Sequence, residues 1–381
     1  MSENTGADAD PPADRQLFVA FNQNSSGLTV GAGSGYRVYG WRSPDRLDLV
    51  DVNRSGGRVV IIERLFCSSL VAIVYESSPR LLRLYHFVKN VEISHHSYHN
   101  SIVSVRLNRQ RLVVCLADTL YVHNIHDMNL LTTIRDTAPN PRGLCALSAH
   151  TDTNCALAYP AASDGPQSVV MIIDAQTLCQ KALITAHEDS PLAAIAIDFL
   201  GENIATASEI GYEIRVFKTS DGQCVREFRR GYPPLLSCLS IHSLAFSKDS
   251  HFLCLTSNTQ TVHIFRLKDR DVDKLPDVEP QGWLECINSY GAQAVDQLAS
   301  YWSSMTDMMT SEWPSMATAT LPESCGPRSV CAVTDIQGMP RVMIASTAGY
   351  LYVYDLNAAD GGDCSLVKQH RIIDARLLKN K

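Results

Sequence analysis

The chain has 381 residues, of which 45% are hydrophobic, so it is long enough for one large repeat domain or two ordinary ones. Its formal net charge is −7 and its pI is about 5.9, which argues against nucleic-acid binding through bulk positive charge. An anionic ligand would therefore have to be met by a local basic patch.

The N-terminal segment 2–14 has four acidic residues and no basic ones. It lacks the basic start and apolar run of a signal peptide, and we expect residues 1–15 to be a disordered acidic tail. No apolar run approaches the length of a spanning helix, so contact with a membrane would be peripheral. The cysteines are scattered without a CxxC pair, which favours free thiols over a zinc site or a disulfide framework.

Short runs of β-branched and aromatic residues recur along the whole chain. Their central residues are separated by 46, 38, 50, 44, 48 and 89 positions, and five of these spacings fit the four-stranded blade of a propeller. The runs are Tyr36–Tyr39, Arg83–Tyr85, Tyr121–His123, Met171–Ile173, Arg215–Phe217, His263–Phe265 and Tyr352–Tyr354.

The spacing around the fifth run predicts strands joined by tight turns. Ile204–Ser208 leads into Ile214–Phe217, and Asp221-Gly222 then forms a turn before Cys224–Phe228. Seven runs predict an all-β, seven-bladed propeller over residues 16–371, with a C-terminal tail at 372–381. The Trp-Asp pair of WD40 repeats is absent, so the repeat is degenerate; a two-domain chain is the alternative.

The long last spacing predicts an insertion at 269–325. Apolar and aromatic residues in it recur every three or four positions, the pattern of an amphipathic helix that can lie in a bilayer interface. Such a helix could instead pack on the propeller, or the loop could be disordered. The residues that we expect to insert are Leu298, Tyr301, Trp302, Met305 and Met309.

Arg229 and Arg230 form the basic pair of greatest chemical interest. Neighbours on an extended chain point to opposite sides, so the two arginines would serve two ligands rather than one. The planar guanidinium donates paired hydrogen bonds that match phosphate. The alternative is that the pair is simply solvated surface.

Phe228–Gly231, preceded by Ala205–Glu209 and Ile214–Phe217 and followed by Ser257–Phe265, resembles the PROPPIN family of autophagy-related propellers. The resemblance extends to Leu107–Leu112 and covers residues 16–371. It implies binding of phosphatidylinositol 3-phosphate and 3,5-bisphosphate, a membrane-inserting loop in the insertion, and a scaffold role in autophagosome formation. It also implies a cytoplasmic protein recruited peripherally to preautophagosomal and endosomal membranes.

The resemblance implies two head-group sites, carried over position by position. The first would use His187, Thr206, Ser208, Arg215 and Arg229, and the second Arg230, Ser257, Thr261 and His263. Each histidine could instead have a structural hydrogen-bonding role. Departures from the family pattern are Tyr212 in place of a small hydroxyl residue, the extra acidic residue Glu188, and an apolar loop, Tyr232–Leu236, which we expect to contact the membrane.

The remaining expectations concern partners and chemistry. The resemblance implies recruitment of lipid-transfer or conjugation machinery, and Arg106, Arg109 and Arg111 are candidates for contacting an acidic partner, or form a plain solvated strand. No metal-ligand spacing and no cofactor motif is present, and the proximity of His187 to Ser190 is not triad geometry, so no enzymatic activity is expected. The rival function is a lipid-independent protein-interaction propeller.

Overall fold

The computed structural model describes residues 17–54, 56–152, 154–163, 165, 167–188, 190–209, 212–229, 240–267, 315–322 and 328–373. Within these ranges the chain forms 29 strands and no helix. The strands make seven sheets, in which neighbouring strands are antiparallel except for one short parallel pair, Ala317–Thr320 with Gly362–Asp363. These sheets are the seven blades of a propeller, as predicted.

The first four blades each contain four strands in sequence order, from the innermost strand outward. Blade 1 contains β1 (Phe18–Phe21), β2 (Gly27–Ala32), β3 (Gly35–Ser43) and β4 (Arg46–Asn53). Blade 2 contains β5 (Val59–Arg64), β6 (Leu70–Tyr75), β7 (Leu81–His86) and β8 (Val91–Ser97). Blade 3 contains β9 (Ser104–Leu107), β10 (Arg111–Cys115), β11 (Leu120–Asn124) and β12 (Leu130–Ile134). Blade 4 contains β13 (Ala146–Leu147), β14 (Ala156–Ala161), β15 (Ser168–Asp174) and β16 (Gln180–His187).

The last three blades complete the ring, and blade 6 has an added short strand. Blade 5 contains β17 (Leu192–Ile197), β18 (Asn203–Ser208), β19 (Glu213–Lys218) and β20 (Cys224–Arg229). Blade 6 contains β21 (Ile241–Phe246), β22 (Phe252–Ser257), β23 (Thr261–Arg266), β24 (Ala317–Thr320) and β28 (Gly362–Asp363). Blade 7 contains β25 (Ser329–Ile336), β26 (Met339–Ser346), β27 (Tyr350–Asp355) and β29 (Ser365–Arg371). Each of the seven runs found in the sequence lies on the third strand of its blade.

The first and last residues that the structure describes meet where blade 7 packs on blade 1. Ile372 and Ile373 are buried in an apolar cluster that includes Leu17 and Val19. The Tyr39 hydroxyl donates a hydrogen bond to the Ile372 carbonyl at 2.5 Å. The predicted start of the C-terminal tail at 372 is therefore wrong, because burial of these two side chains closes the ring.

The predicted insertion bounds, 269–325, are also too wide. Ala317–Thr320 lies inside them, and it forms β24, which pairs antiparallel with β23 and supplies the fourth strand of blade 6. The segment between these two strands accounts for the long spacing before the last run. Residues 268–314, including all five residues expected to insert into membranes, lie outside the described part of the chain.

The three arginines proposed as a partner-binding cluster do not form one patch. Arg106 lies on the innermost strand of blade 3 and lines a central cavity of about 480 Å³, where its Nη1 donates to Glu63 Oε1 at 2.9 Å. Arg109 is exposed over the Phe66 ring, 5.0 Å from its centroid. Arg111 crosses to blade 4 and donates to the Ala175 carbonyl at 2.6 Å. Arg106 therefore faces the central cavity, and its contact with an acidic partner stays a prediction.

Candidate functional site

Blade 5 presents two chemically different faces to its neighbours. Ala205, Ala207, Ile214, Val216 and Phe228 lie in an apolar cluster shared with blade 6. Because side chains alternate along a strand, Thr206, Arg215 and Arg229 occupy the opposite face, toward blade 4. These polar side chains lie between blades 4 and 5, and we call the place where they meet the first groove.

The floor of this groove joins the end of β16 to the middle of blade 5. The Nε2 atom of His187 lies 3.2 Å from the Thr206 hydroxyl. Thr206 is paired with Arg215 across the β18–β19 ladder, and Arg215 Nη1 donates to the Ala186 carbonyl at 3.0 Å. His187 and Thr206 are buried, so they fix the relative position of the two blades beneath the groove.

Ser208 and Arg229 lie nearer the ends of their strands. Ser208 is on the same face of β18 as Thr206, two residues farther along, and is buried. Arg229 lies on the last strand of the blade with its guanidinium carbon 5.8 Å from the centroid of the Tyr212 ring. The structure thus brings all five predicted residues of the first site onto one groove, and Tyr212 becomes a cation–π partner of Arg229.

Two carboxylates that were not predicted as site residues lie between the two arginines. Glu213 contacts Arg215 Nη2 at 3.1 Å and Arg229 Nη2 at 3.8 Å. Glu227 contacts Arg215 Nε at 3.4 Å and Arg229 Nη2 at 3.5 Å. The pattern Glu-x-Arg occurs twice, at 213–215 and 227–229, on paired antiparallel strands. Strand alternation places all four charges on one face, and this signal could have identified both glutamates from the sequence.

Burial determines the protonation of His187. Desolvation, together with the positive charge of Arg215, lowers the pKa of His187 to about 4. Its Nδ1 atom is buried and has no hydrogen-bond partner among the described residues. The imidazole is therefore neutral near pH 7, and the two arginines supply the positive charge of the groove.

The residues predicted for the second site lie on the face of blade 6 that is turned toward blade 5. The Phe265 ring packs on Phe228 of β20 with centroids 4.9 Å apart, and the His263 ring stacks near Phe265. Ser257 and Thr261 flank the turn between β22 and β23, and Ser257 is buried. His263 Nδ1 lies 3.3 Å from the Ser315 hydroxyl. Three of the four predicted residues are thus close together, and Arg230 lies outside the described residues.

The β ladders define which positions correspond between blades 5 and 6. In blade 5, Arg215 pairs with Thr206 and Glu227, and Glu213 pairs with Arg229. In blade 6, the corresponding pairings are of His263 with Leu255 and Thr318, and of Thr261 with Thr320. Arg215 thus corresponds to His263, whereas Glu213 and Glu227 correspond to Thr261 and Thr318.

Three further observations complete the site. Glu188 is exposed at the end of β16, and Tyr232–Leu236 lies outside the described residues. Among the residues that the structure describes, no group of three His, Cys, Asp or Glu side chains is placed to hold a metal ion. No helix within the described ranges is long and apolar enough to cross a bilayer.

Comparison with known proteins shows which family this propeller belongs to. The chain is 45% identical to WD repeat domain phosphoinositide-interacting protein 2 of Gallus gallus, covering 96% of this chain and 81% of the relative. It is 36% identical to Autophagy-related protein 18 of Caenorhabditis elegans, covering 93% and 85% of the two chains. The fold matches KlAtg21, solved in complex with the coiled-coil of AgAtg16, with a TM-score of 0.69 at 23% identity over 94% of this chain and 100% of that chain. The PROPPIN family model matches residues 16–373, and with the propeller and these relatives it shows that the chain belongs to the PROPPIN family.

Proposed function

We propose that this chain is a peripheral membrane protein that binds phosphatidylinositol 3-phosphate and 3,5-bisphosphate through head-group grooves on either side of β20. The observation that carries the proposal is the convergence of His187, Thr206, Ser208, Arg215 and Arg229 on one groove between blades 4 and 5. Relatives whose names describe phosphoinositide interaction and autophagy support the same assignment.

The chemistry of the groove suits a phosphate monoester. Each guanidinium can donate two parallel hydrogen bonds to phosphate oxygens, and a charge-assisted bond contributes about 1.5–3 kcal/mol. Arg215 and Arg229 are only about a quarter exposed, so a bound phosphate would be partly shielded from water. Recognition and not catalysis is what these residues support.

Membrane attachment would combine several weak contacts. Two head-group grooves on one chain raise the effective concentration of the second binding event once the first lipid is bound. We further propose that Leu298, Tyr301, Trp302, Met305 and Met309 of the insertion enter the bilayer interface and that Tyr232–Leu236 contacts it. These segments contain no basic residue, so burial of apolar surface would have to drive their contact.

A scaffold role in autophagosome formation completes the proposal. The propeller would be cytoplasmic, would be recruited to preautophagosomal and endosomal membranes, and would present its other blades to lipid-transfer or conjugation machinery. The candidates for contacting an acidic partner are Arg106, Arg109 and Arg111, of which Arg109 is the exposed one. The solved complex of KlAtg21 with a coiled-coil of AgAtg16 is consistent with such a partner.

Vesicle flotation tests the lipid assignment. We expect wild type to float with phosphatidylcholine vesicles that contain phosphatidylinositol 3-phosphate and not with vesicles that contain unphosphorylated phosphatidylinositol. Arg229→Thr/Arg230→Thr should weaken this binding by about two orders of magnitude, because it removes charge-assisted bonds from both grooves.

The matched control is Arg42→Thr/Arg46→Thr, which removes two exposed arginines from blade 1 and should not change flotation. If the Arg229/Arg230 variant floats as well as wild type, or if flotation does not depend on the 3-phosphate, the lipid assignment is wrong. A lipid-independent interaction scaffold would then be the better account.

A further inference from the structure

We propose that Glu213 and Glu227 limit the phosphate affinity of the first groove and reduce its affinity for highly charged head groups more than for head groups of lower charge. The inference rests on the proposed function, because it assigns a regulating role to residues within the same groove. It follows from the geometry of four charges on one face of blade 5.

The four side chains form a checkerboard of alternating charge. Glu213 and Arg229 are directly opposite on β19 and β20, and Arg215 and Glu227 form the next opposite pair. Each carboxylate lies within 4.0 Å of both guanidinium groups, at distances of 3.1–3.8 Å. The two arginines are thus held in position, and their charge is balanced before any ligand binds.

A phosphate that enters this groove must share the guanidinium donors with two carboxylates. Like charges separated by a few ångströms at a partly exposed site repel one another appreciably, and the repulsion grows with the charge of the ligand. Since the imidazole of His187 at the floor is neutral, it does not offset this repulsion. The carboxylates should therefore reduce the affinity for a bisphosphate head group more than the affinity for a monophosphate.

The corresponding positions of blade 6 show that carboxylates are not required by the blade itself. Thr261 and Thr318 occupy the places of Glu213 and Glu227 on an equivalent ladder. One carboxylate, that of Asp363, approaches from β28 and accepts a hydrogen bond from the Thr318 hydroxyl at 2.7 Å. The two grooves therefore differ in fixed negative charge, and phosphate affinity is limited more strongly in the first groove than in the second.

The test is Glu213→Gln/Glu227→Gln, which removes both charges while the amide oxygen can still accept from the arginines. Binding to vesicles with phosphatidylinositol 3-phosphate should strengthen by roughly tenfold, and binding to vesicles with the 3,5-bisphosphate by more than that. Both gains should shrink as salt is added, because the repulsion is screened. Each single variant should give part of the gain in affinity. The single variants therefore keep the test decisive if the double variant does not fold.

Glu202→Gln is the matched control, because it removes an exposed acidic charge at the far end of the same blade and should change neither affinity. Unchanged or weaker binding by the glutamine variants overturns the inference. So does a gain that is equal for the two lipids.

Adding Arg229→Thr separates this outcome from failure of the proposed function. If wild type binds in an Arg229-dependent way and the glutamine variants show no gain, only the inference fails. If wild type shows no lipid-dependent binding, the proposed function fails. A gain that persists in the Arg229→Thr background would show that the carboxylates act by general charge and would overturn the assignment to this groove.

Discussion

His187 shows how strongly a buried environment can change the expected chemistry of a residue. The sequence offers His187 either as a head-group ligand or as a structural hydrogen-bonding residue. In the structure it is 3% exposed and lies near Arg215, and burial lowers its pKa to about 4. A proton would therefore have to be added against both desolvation and a neighbouring positive charge.

This lowered pKa predicts an acid-dependent loss of stability. The unfolded chain protonates His187 near pH 6.5 and the folded chain only near pH 4, so its full stability is present above pH 6.5 and falls as the pH decreases toward 4. When the pH is lowered from 7 to 5, protonation of this group in the unfolded chain should decrease the free energy of unfolding by about 2 kcal/mol. Urea titrations should show a smaller drop for His187→Gln than for wild type.

His242 provides a parallel case, because burial and the nearby Arg328 and Arg142 lower its pKa to about 4. His242→Gln should also reduce the acid-dependent drop. If His187→Gln loses as much stability as wild type over this pH range, the histidine is not buried in the neutral form that the structure implies.

At the residue scale, the resemblance indicated the side chains that converge between blades 4 and 5, whereas Glu213 and Glu227 were missed although the repeated Glu-x-Arg pattern marks both. Alternation along β18, β19 and β20 accounts for the convergence of Thr206, Arg215 and Arg229, once the strands are assigned. The resemblance to a family identifies groups that donate to phosphate. It does not identify Glu213 and Glu227, because carboxylates do not bind an anion and their effect appears only from cross-strand pairing.

At the scale of the element, the repeated runs predicted the third strand of every blade. The central residue of every run, such as Val38, Leu84 or Val353, is buried, so apolar and β-branched residues recur at these positions. β24 was missed because Ala317–Thr320 is short, has small side chains, and follows a long segment without a repeat pattern. Hydrogen bonding to β23 makes this segment a strand, and the local sequence does not reveal that pairing.

The turn between β19 and β20 gives a prediction at this scale. Gly222 has φ of +76°, and a Cβ there would lie 3.1 Å from Ile184 Cγ1 in blade 4. Gly222→Ala should cost about 1–2 kcal/mol, combining left-handed backbone strain with a tight contact between blades. The midpoint of urea unfolding measures this cost.

Gly338→Ala is the matched control, because Gly338 has φ of +77° and nothing within 4 Å of its would-be Cβ. It should show the backbone strain alone and therefore the smaller loss. Equal losses for the two variants would mean that the contact with Ile184 contributes nothing.

At the scale of the whole molecule, the number of blades and their order followed from the sequence, whereas the closure of the ring did not. Closure depends on residues at opposite ends of the chain, including Leu17, Tyr39 and Ile372. No local pattern reports a contact between positions more than 300 residues apart. The ring then aligns blades 4, 5 and 6 so that both faces of β20 meet a neighbouring blade.

The most direct test of the account is a calorimetric titration with inositol 1,3-bisphosphate, the soluble head group of phosphatidylinositol 3-phosphate. Two head-group grooves predict two binding sites per chain in wild type and one in Arg229→Thr, with the remaining site unchanged in affinity. A wild-type chain with no site, or a stoichiometry that Arg229→Thr does not alter, would contradict the assignment of the groove between blades 4 and 5.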